Sequence, residues 1–299
     1  MRRVFITGGT GFFGKSLLDY RSCHQEIDWG EWTILSRNPD AFRMTYPALA
    51  ALPGVSFIRG DVRDFSADGD YDTVIHAATS AVTTMHDAEM TSVIVEGVRH
   101  VIDFARMHGR PKILFTSSGA VYGPQTGKVS EKAACNPATA YGSGKLHAEH
   151  LLLESGLDVR IARCFAFVGP YLNRRIHYAI GNFIQDCLDG RTIVIKGDGT
   201  PRRSYLYADD LVEWLLTILE RGRSGVAYNV GSERTMSIKE VAEGVRAALG
   251  TVNEIDVQGV PSGSLPSFYI PETDWIRREL GVTEKVDFMD AVKRSSKRV

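Results

Sequence analysis

Val4-Phe5-Ile6-Thr7-Gly8-Gly9-Thr10-Gly11-Phe12-Phe13-Gly14-Lys15-Ser16-Leu17-Leu18 is the stretch on which the fold turns. An apolar, β-branched run reads as a buried strand. It breaks into Gly8, Gly11 and Gly14 at GxxGxxG spacing and passes at once into a helical stretch, Gly11 to Tyr20. Glycines permit the tight turn and let an anion approach backbone N–H groups at the positive end of the helix. Strand, glycine turn and helix in that order predict a pyrophosphate cradle, with Gly8, Thr10, Gly11, Phe12, Phe13 and Gly14 around a dinucleotide.

Further strands are expected at 33–36, 56–59, 73–76, 113–117 and 159–164, with helices at 88–108 and 140–154 between them. The alternation predicts an α/β fold, a Rossmann doubly wound parallel sheet whose carboxyl edge collects ligands. After Gly169-Pro170 the pattern turns polar and irregular. A helix at 180–189, a strand at 192–195, a helix opened by Asp209 as its cap, a strand at 228–230, a helix capped by Ser237 and a last helix ended by Gly281 follow. This predicts a Rossmann domain over 1–168, with 204–232 returning to it. A smaller C-terminal substrate-binding lobe is expected from 169–203 and 233–299.

Lys and Arg total 35 against 36 Asp and Glu, so no electrostatic pull toward nucleic acid or anionic membrane is expected. No apolar run approaches the roughly 20 residues of a membrane helix. The first residues break into glycine too soon for a signal-peptide core, and a cytoplasmic protein is expected. Cys23, Cys135, Cys164 and Cys187 lack CxxC spacing, which argues against zinc and against a disulfide framework.

Other positions agree with a dinucleotide. Asp61, followed by Val62 after the third strand, can accept from an adenine amino group. Ala77 and Ala78 leave room for a flat cofactor, and His76 beside them reads as a structural histidine. The second strand ends in Ser36-Arg37, where an NAD-preferring enzyme carries an acid on the ribose 2′-OH. An arginine there suits a 2′-phosphate, so NADP is favoured over NAD, unless Arg37 stacks on adenine or faces solvent.

Tyr141 and Lys145 stand four residues apart, one turn along a helix face. A phenol ionises near pH 10 unless a neighbouring cation stabilises its anion, which the lysine can do. Upstream, Phe115-Thr116-Ser117-Ser118-Gly119-Ala120-Val121-Tyr122-Gly123 brings hydroxyls to the ligand edge. With GGTGFFG (8–14), GDVRD (60–64), the 163–170 segment, GDGTPRRSY (197–205) and YNVG (228–231), the chain resembles the extended short-chain dehydrogenase/reductase family over nearly its whole length. The branch is that of the NAD-dependent epimerase/dehydratases acting on nucleotide sugars.

The resemblance implies Tyr141 as acid/base, Lys145 as the group that lowers its pKa and holds the nicotinamide ribose, and Ser118 (or Ser117) on the reacting sugar oxygen. It implies Arg203, with Arg202 able to share the role, on the substrate diphosphate, and Asn182 in the same pocket. It also implies hydride transfer at a sugar carbon, commonly C4, and a homodimer through the helices at 88–108 and 140–154. Dehydratases of the family carry Asp and Glu after the catalytic hydroxyl, where this chain has Gly119 and Ala120, which disfavours a 4,6-dehydratase. Ile94 and Ala166 replace two asparagines frequent in the family, and Arg174, Arg175 or His177 could compensate. The expected activity is reduction of a nucleotide-linked 4-keto-6-deoxysugar. The alternative is a 4-epimerase with tightly bound NAD, with a catalytically dead cofactor-binding module behind both.

Overall fold

In the computed structural model, which describes residues 2–79, 86–176, 179–260, 263 and 265–297, the glycine-rich stretch opens a classical alternation of strands and helices. The first half runs β1 (Arg3–Thr7), α1 (Phe12–Cys23), β2 (Glu31–Ser36), α2 (Pro39–Thr45), α3 (Pro47–Ala50), β3 (Val55–Arg59), β4 (Thr73–His76) and α4 (Asp87–Met107). β5 (Lys112–Ser118), a 3-10 turn (Gly119–Tyr122), α5 (Ala140–Glu154), β6 (Val159–Cys164) and β7 (Phe167–Val168) follow. Then come α6 (Ala179–Leu188), β8 (Ile193–Ile195), β9 (Arg202–Arg203), β10 (Leu206–Tyr207), α7 (Ala208–Arg221) and β11 (Val226–Val230). The chain ends in β12 (Met236–Ser237), α8 (Ile238–Leu249), β13 (Ile255–Val257), β14 (Phe268–Tyr269), α9 (Asp274–Leu280) and α10 (Phe288–Ser296).

Seven strands form one sheet in the order β3-β2-β1-β4-β5-β6-β11, every pair parallel. All four residues of β4 and all six of β6 are buried, as a sheet covered on both faces requires. The order reverses between β1 and β4, which opens a crevice at the carboxyl ends of these strands. Thr7, Ser36, His76, Ser118 and Cys164, each the last residue of its strand, therefore share one edge.

One face of the sheet buries Leu17 and Leu18 of α1, Trp214 and Leu215 of α7, and Ile276 and Leu280 of α9. The other buries Ile94, Val98 and Val101 of α4 with Ala148 and Leu152 of α5. Each buried Val, Leu or Ile among these contributes about 1.5–3 kcal/mol by leaving water. A separate cluster joins Phe183 and Ile184 of α6, Val241 and Val245 of α8, and Phe288 and Val292 of α10. Beside it, β9 lies between β12 and β14 in a small sheet.

Local signals account for most boundaries. Ser237 and Glu240 form a reciprocal capping box on α8, and Gly281 ends α9 at φ +73°. Asp209 does not cap α7: Tyr207 is the capping residue and Asp209 sits inside the first turn, where its charge faces the helix's positive end. Its neighbour Asp210 accepts from the backbone N–H groups of Lys285 and Val286 at 3.1 and 3.0 Å.

Candidate active site

The glycines at the end of β1 are required by close approach. Gly8 has φ +74°, and a Cβ there would lie 2.5 Å from the Ala77 carbonyl carbon. A Cβ on Gly14 would lie 2.1 Å from Gly9 Cα. The turn thus folds flat against the end of β4, and the first N–H groups of α1 face the crevice with Gly11 as cap. The half-buried ring of Phe13 stacks edge-on against Phe167 at 5.5 Å, and that of Phe12 packs beside Gly169. Half-exposed Thr10 stands in the turn, and Ala77 and Ala78 keep the facing wall low. A cradle that a Cβ would fill, with helix N–H groups above it, fits a dinucleotide pyrophosphate.

Thr7 and His76 tie the two strands at the switch point through a 2.6 Å Oγ1–Nδ1 contact, and the Ala78 N–H reaches Thr7 Oγ1 at 3.3 Å. Burial, then the nearby Lys145 ammonium, push the His76 pKa down to about 3. A neutral imidazole fixed this way is structural.

At the end of β2, Ser36 is buried and its hydroxyl accepts from the Asn38 N–H at 3.2 Å. Arg37 is exposed, and its carbonyl accepts from Arg59 at 3.4 Å. Asp61 is engaged by Arg63, with Nε to Oδ1 at 2.7 Å and Nη2 to Oδ2 at 3.2 Å. That hydrogen bond holds the carboxyl below its ordinary range. Val62 is a core residue packed against Gly97 of α4.

Ser118 ends β5 with its Oγ accepting from the Ala120 N–H at 3.1 Å and lying 3.2 Å from Tyr269 Oη. Ser117 faces the other way and donates to Glu149 of α5. Thr139 caps α5 by accepting from Gly142 N at 3.1 Å. A Cβ on Gly142 would lie 2.6 Å from Ala120 O, so the first turn of α5, with Tyr141 on it, is pressed onto the turn that follows Ser118. Lys145 is 1% exposed, with Nζ 5.9 Å from the Tyr141 ring centre. It donates to Thr116 O at 2.8 Å and to Thr79 Oγ1 at 2.6 Å. Burial pushes its pKa down to about 8.

Below this layer Arg163 donates to Glu149 (Nη2 to Oε2, 2.7 Å) and to Tyr122 Oη (3.0 Å), and Tyr122 donates to Asn229 (2.8 Å). Burial works against the Arg163 charge, yet the Glu149 carboxylate keeps its pKa above the ordinary value. The network locks β5, β6, α5 and β11 together under Ser118 and Lys145.

Asn182 of α6 lines a cleft of about 440 Å³ with Arg175, Arg191, Val194 and Lys196. Arg203 on β9 is half-buried and donates to the carbonyls of Arg202 (2.7 Å) and Ser267 (3.3 Å). It is not on the cleft's wall among the described residues. It stands across from Tyr269 in the β9–β14 ladder, and so is tied to the Ser118 side. Arg202 pairs with Glu240 at 3.0 Å. Arg174, a candidate for compensating the lost asparagine, donates to the carbonyls of Ser295 and Lys297. His177 lies outside the described residues.

Tyr269 and Thr79 were not legible as site residues. Tyr269 sits in an aperiodic stretch about 150 residues from Ser118, and bridges from Phe268 to Gln125 and from Pro271 to Val129, together with the pairing of β14 and β9, bring it in.

The NAD dependent epimerase/dehydratase family profile matches residues 4–231. A dTDP-glucose 4,6-dehydratase of Streptomyces griseus is 31% identical over 97% of this chain and 91% of its own. UDP-glucuronic acid decarboxylase 6 of Arabidopsis thaliana is 28% identical over 97% and 86%. The UDP-glucuronic acid 4-epimerase of Bacillus cereus, solved in complex with NAD, superposes with a TM-score of 0.84 over 98% of this chain and 95% of its own, at 21% identity. No helix among the described residues is long and apolar enough to cross a membrane.

Proposed function

Because this chain belongs to the NAD-dependent epimerase/dehydratase family, we propose that it inverts C4 of a nucleotide-diphosphate sugar and keeps its NAD throughout. The observation that carries this reading is the wall behind Ser118. A Cβ at Gly119 would lie 2.7 Å from the Phe165 ring, so the acid that a dehydratase carries at that position has no space here. Ala120 supplies no base. Elimination across C5 and C6 therefore lacks both its proton donor and its proton acceptor, while exchange at C4 lacks nothing.

Hydride return displaces the net reduction expected from Arg37. Loss of water, loss of CO2 and inversion, the reactions named for the relatives, all leave the overall oxidation state unchanged. The hydride taken from the sugar must then go back to it. The family's dependence on NAD likewise favours NAD over NADP.

When bound, the nicotinamide supplies the acceptor and then the donor of the C4 hydride. Ser118 Oγ, oriented by the Ala120 N–H, holds the sugar O4. Tyr141 takes the O4 proton as C4 is oxidised and gives it back as C4 is rebuilt, a general base and then a general acid. The buried Lys145 ammonium, on the same helix face, favours the phenolate and would hold the nicotinamide ribose when the cofactor is bound. Arg203, which the β9–β14 ladder sets across from Tyr269 on the Ser118 side, holds the diphosphate while the sugar turns its other face to the ring, and Asn182, on a separate cleft, is left out of that contact.

The test is incubation of the purified protein with UDP- and dTDP-linked glucose, galactose and glucuronic acid, followed by proton NMR and nicotinamide absorbance. C4 epimers with no net change in absorbance support the reading. Release of CO2, formation of a 4-keto-6-deoxysugar, or stoichiometric oxidation of NADPH on adding such a keto sugar contradicts it.

A further inference from the structure

A fully buried ammonium must place three N–H donors on acceptors or suffer the cost of leaving them unmade. Thr116 O and Thr79 Oγ1 take two of those of Lys145, at 2.8 and 2.6 Å, and are its hydrogen-bond acceptors among the described residues; the third donor suits a ribose hydroxyl. The two protein acceptors differ in kind. The Thr116 carbonyl belongs to β5 and is held by the sheet. Thr79 stands beyond the end of β4, half-buried, and its own hydroxyl proton is committed to Ala78 O at 2.8 Å. That bond turns the oxygen's lone pairs toward the ammonium.

Helix α4 offers no polar group at the nearby place where the family resemblance expects an asparagine. Ile94 fills it, 1% exposed and packed against Gly144, whose added Cβ would lie 3.3 Å from Ile94 Cδ1. We propose that Thr79 is a positioning residue for the reaction, its hydroxyl oxygen keeping the Lys145 ammonium aimed at Tyr141 and the ribose in place of a polar group on α4. The inference rests on the Tyr141–Lys145 reading above.

Among the described residues, the titratable groups facing the ammonium come from three elements. They are Tyr141 and Glu149 on α5, His76 at the end of β4 and Cys164 at the end of β6. His76 is neutral, and burial pushes the Cys164 thiol up to about 12, so neither changes charge near neutrality. Glu149 is held by Arg163 and Ser117. The Tyr141 phenol is left as the group whose ionisation follows the lysine's placement and charge.

The experiment is an absorbance titration of tyrosinate in protein saturated with NAD, for wild type, Thr79→Val and Thr79→Ser. Each is differenced against the same protein carrying Tyr141→Phe, so no sugar substrate is needed. Valine removes the acceptor and should raise the Tyr141 midpoint by about one pKa unit; serine should restore it. Should the valine variant fail to fold, Thr79→Cys, close in volume and a poorer acceptor, makes the same comparison. A wild-type midpoint that is depressed but unchanged in Thr79→Val, or not restored by serine, overturns the role of Thr79 alone. A wild-type Tyr141 that titrates as a free phenol overturns the Tyr141–Lys145 reading itself.

Discussion

Removing the Glu149 carboxylate should unseat the layer that supports both Ser118 and Lys145. Glu149 is 1% exposed and accepts from Arg163 through Nε at 3.1 Å and Nη2 at 2.7 Å, besides the Ser117 hydroxyl. Glu149→Ala leaves the Arg163 side chain, 11% exposed, without its bonded carboxylate and with the neutral Tyr122 and Cys135 as partners. Stranding a buried charge in this way costs about 4 kcal/mol. For a chain of this size that lowers the melting temperature by roughly 6 °C. The double variant Glu149→Ala/Arg163→Met removes the stranded charge as well. It should recover part of the loss, because the two residues share one network and their effects do not add. Thermal unfolding of both variants at neutral pH checks this. A loss under about 1 kcal/mol in the single variant, or a double variant that melts lower still, would show that the pair is not what locks β6 to α5.

Lys145 lowers apo stability for the sake of function. Its folded pKa of about 8 lies below the ordinary 10.5, so the unfolded chain binds more protons between these values and stability rises with pH across that window. Lys145→Met should therefore abolish turnover yet stabilise the apo protein near neutrality by up to about 3 kcal/mol. That advantage should fade as pH climbs from about 8 toward 10.5; equal stability of the two proteins at neutral pH would contradict the burial cost. Gly8→Ala places a Cβ 2.5 Å from Ala77 at a positive φ. Calorimetric titration should show NAD affinity reduced at least about tenfold, or roughly 1.4 kcal/mol, and unchanged affinity would contradict the cradle. Arg37→Ala should lower NADP affinity about tenfold and NAD affinity less than twofold. Equal losses would place Arg37 on the adenine, not at the 2′ position.

Motifs whose chemistry is local were legible in the sequence. The glycine turn follows β1 and Ser118 ends β5, two parallel strands with β4 between them, and Tyr141 and Lys145 lie one helical turn apart, so the alternation of strands and helices brings them to one edge of the sheet. Features that depend on distant chain were not. Phe165 closes the space at Gly119 from the link between β6 and β7, and Tyr269 reaches Ser118 through the bridges of its segment to Gln125 and Val129 and the pairing of β14 with β9. The two short helices α2 and α3 were also missed, although Pro39 and Pro47 mark their first positions. The aromatic side chains of Phe12 and Phe13 pack against 167–169, a contact with distant chain that the glycine motif does not reveal.

Hydride return to the same sugar is tested most directly with a nucleotide sugar deuterated at C4. Retention of the label at C4 in the recovered epimers, with no net change in nicotinamide absorbance, is the result expected of an enzyme that keeps its NAD. Loss of the label into free reduced dinucleotide, or a 4-keto sugar that consumes one NADPH per molecule, would contradict it.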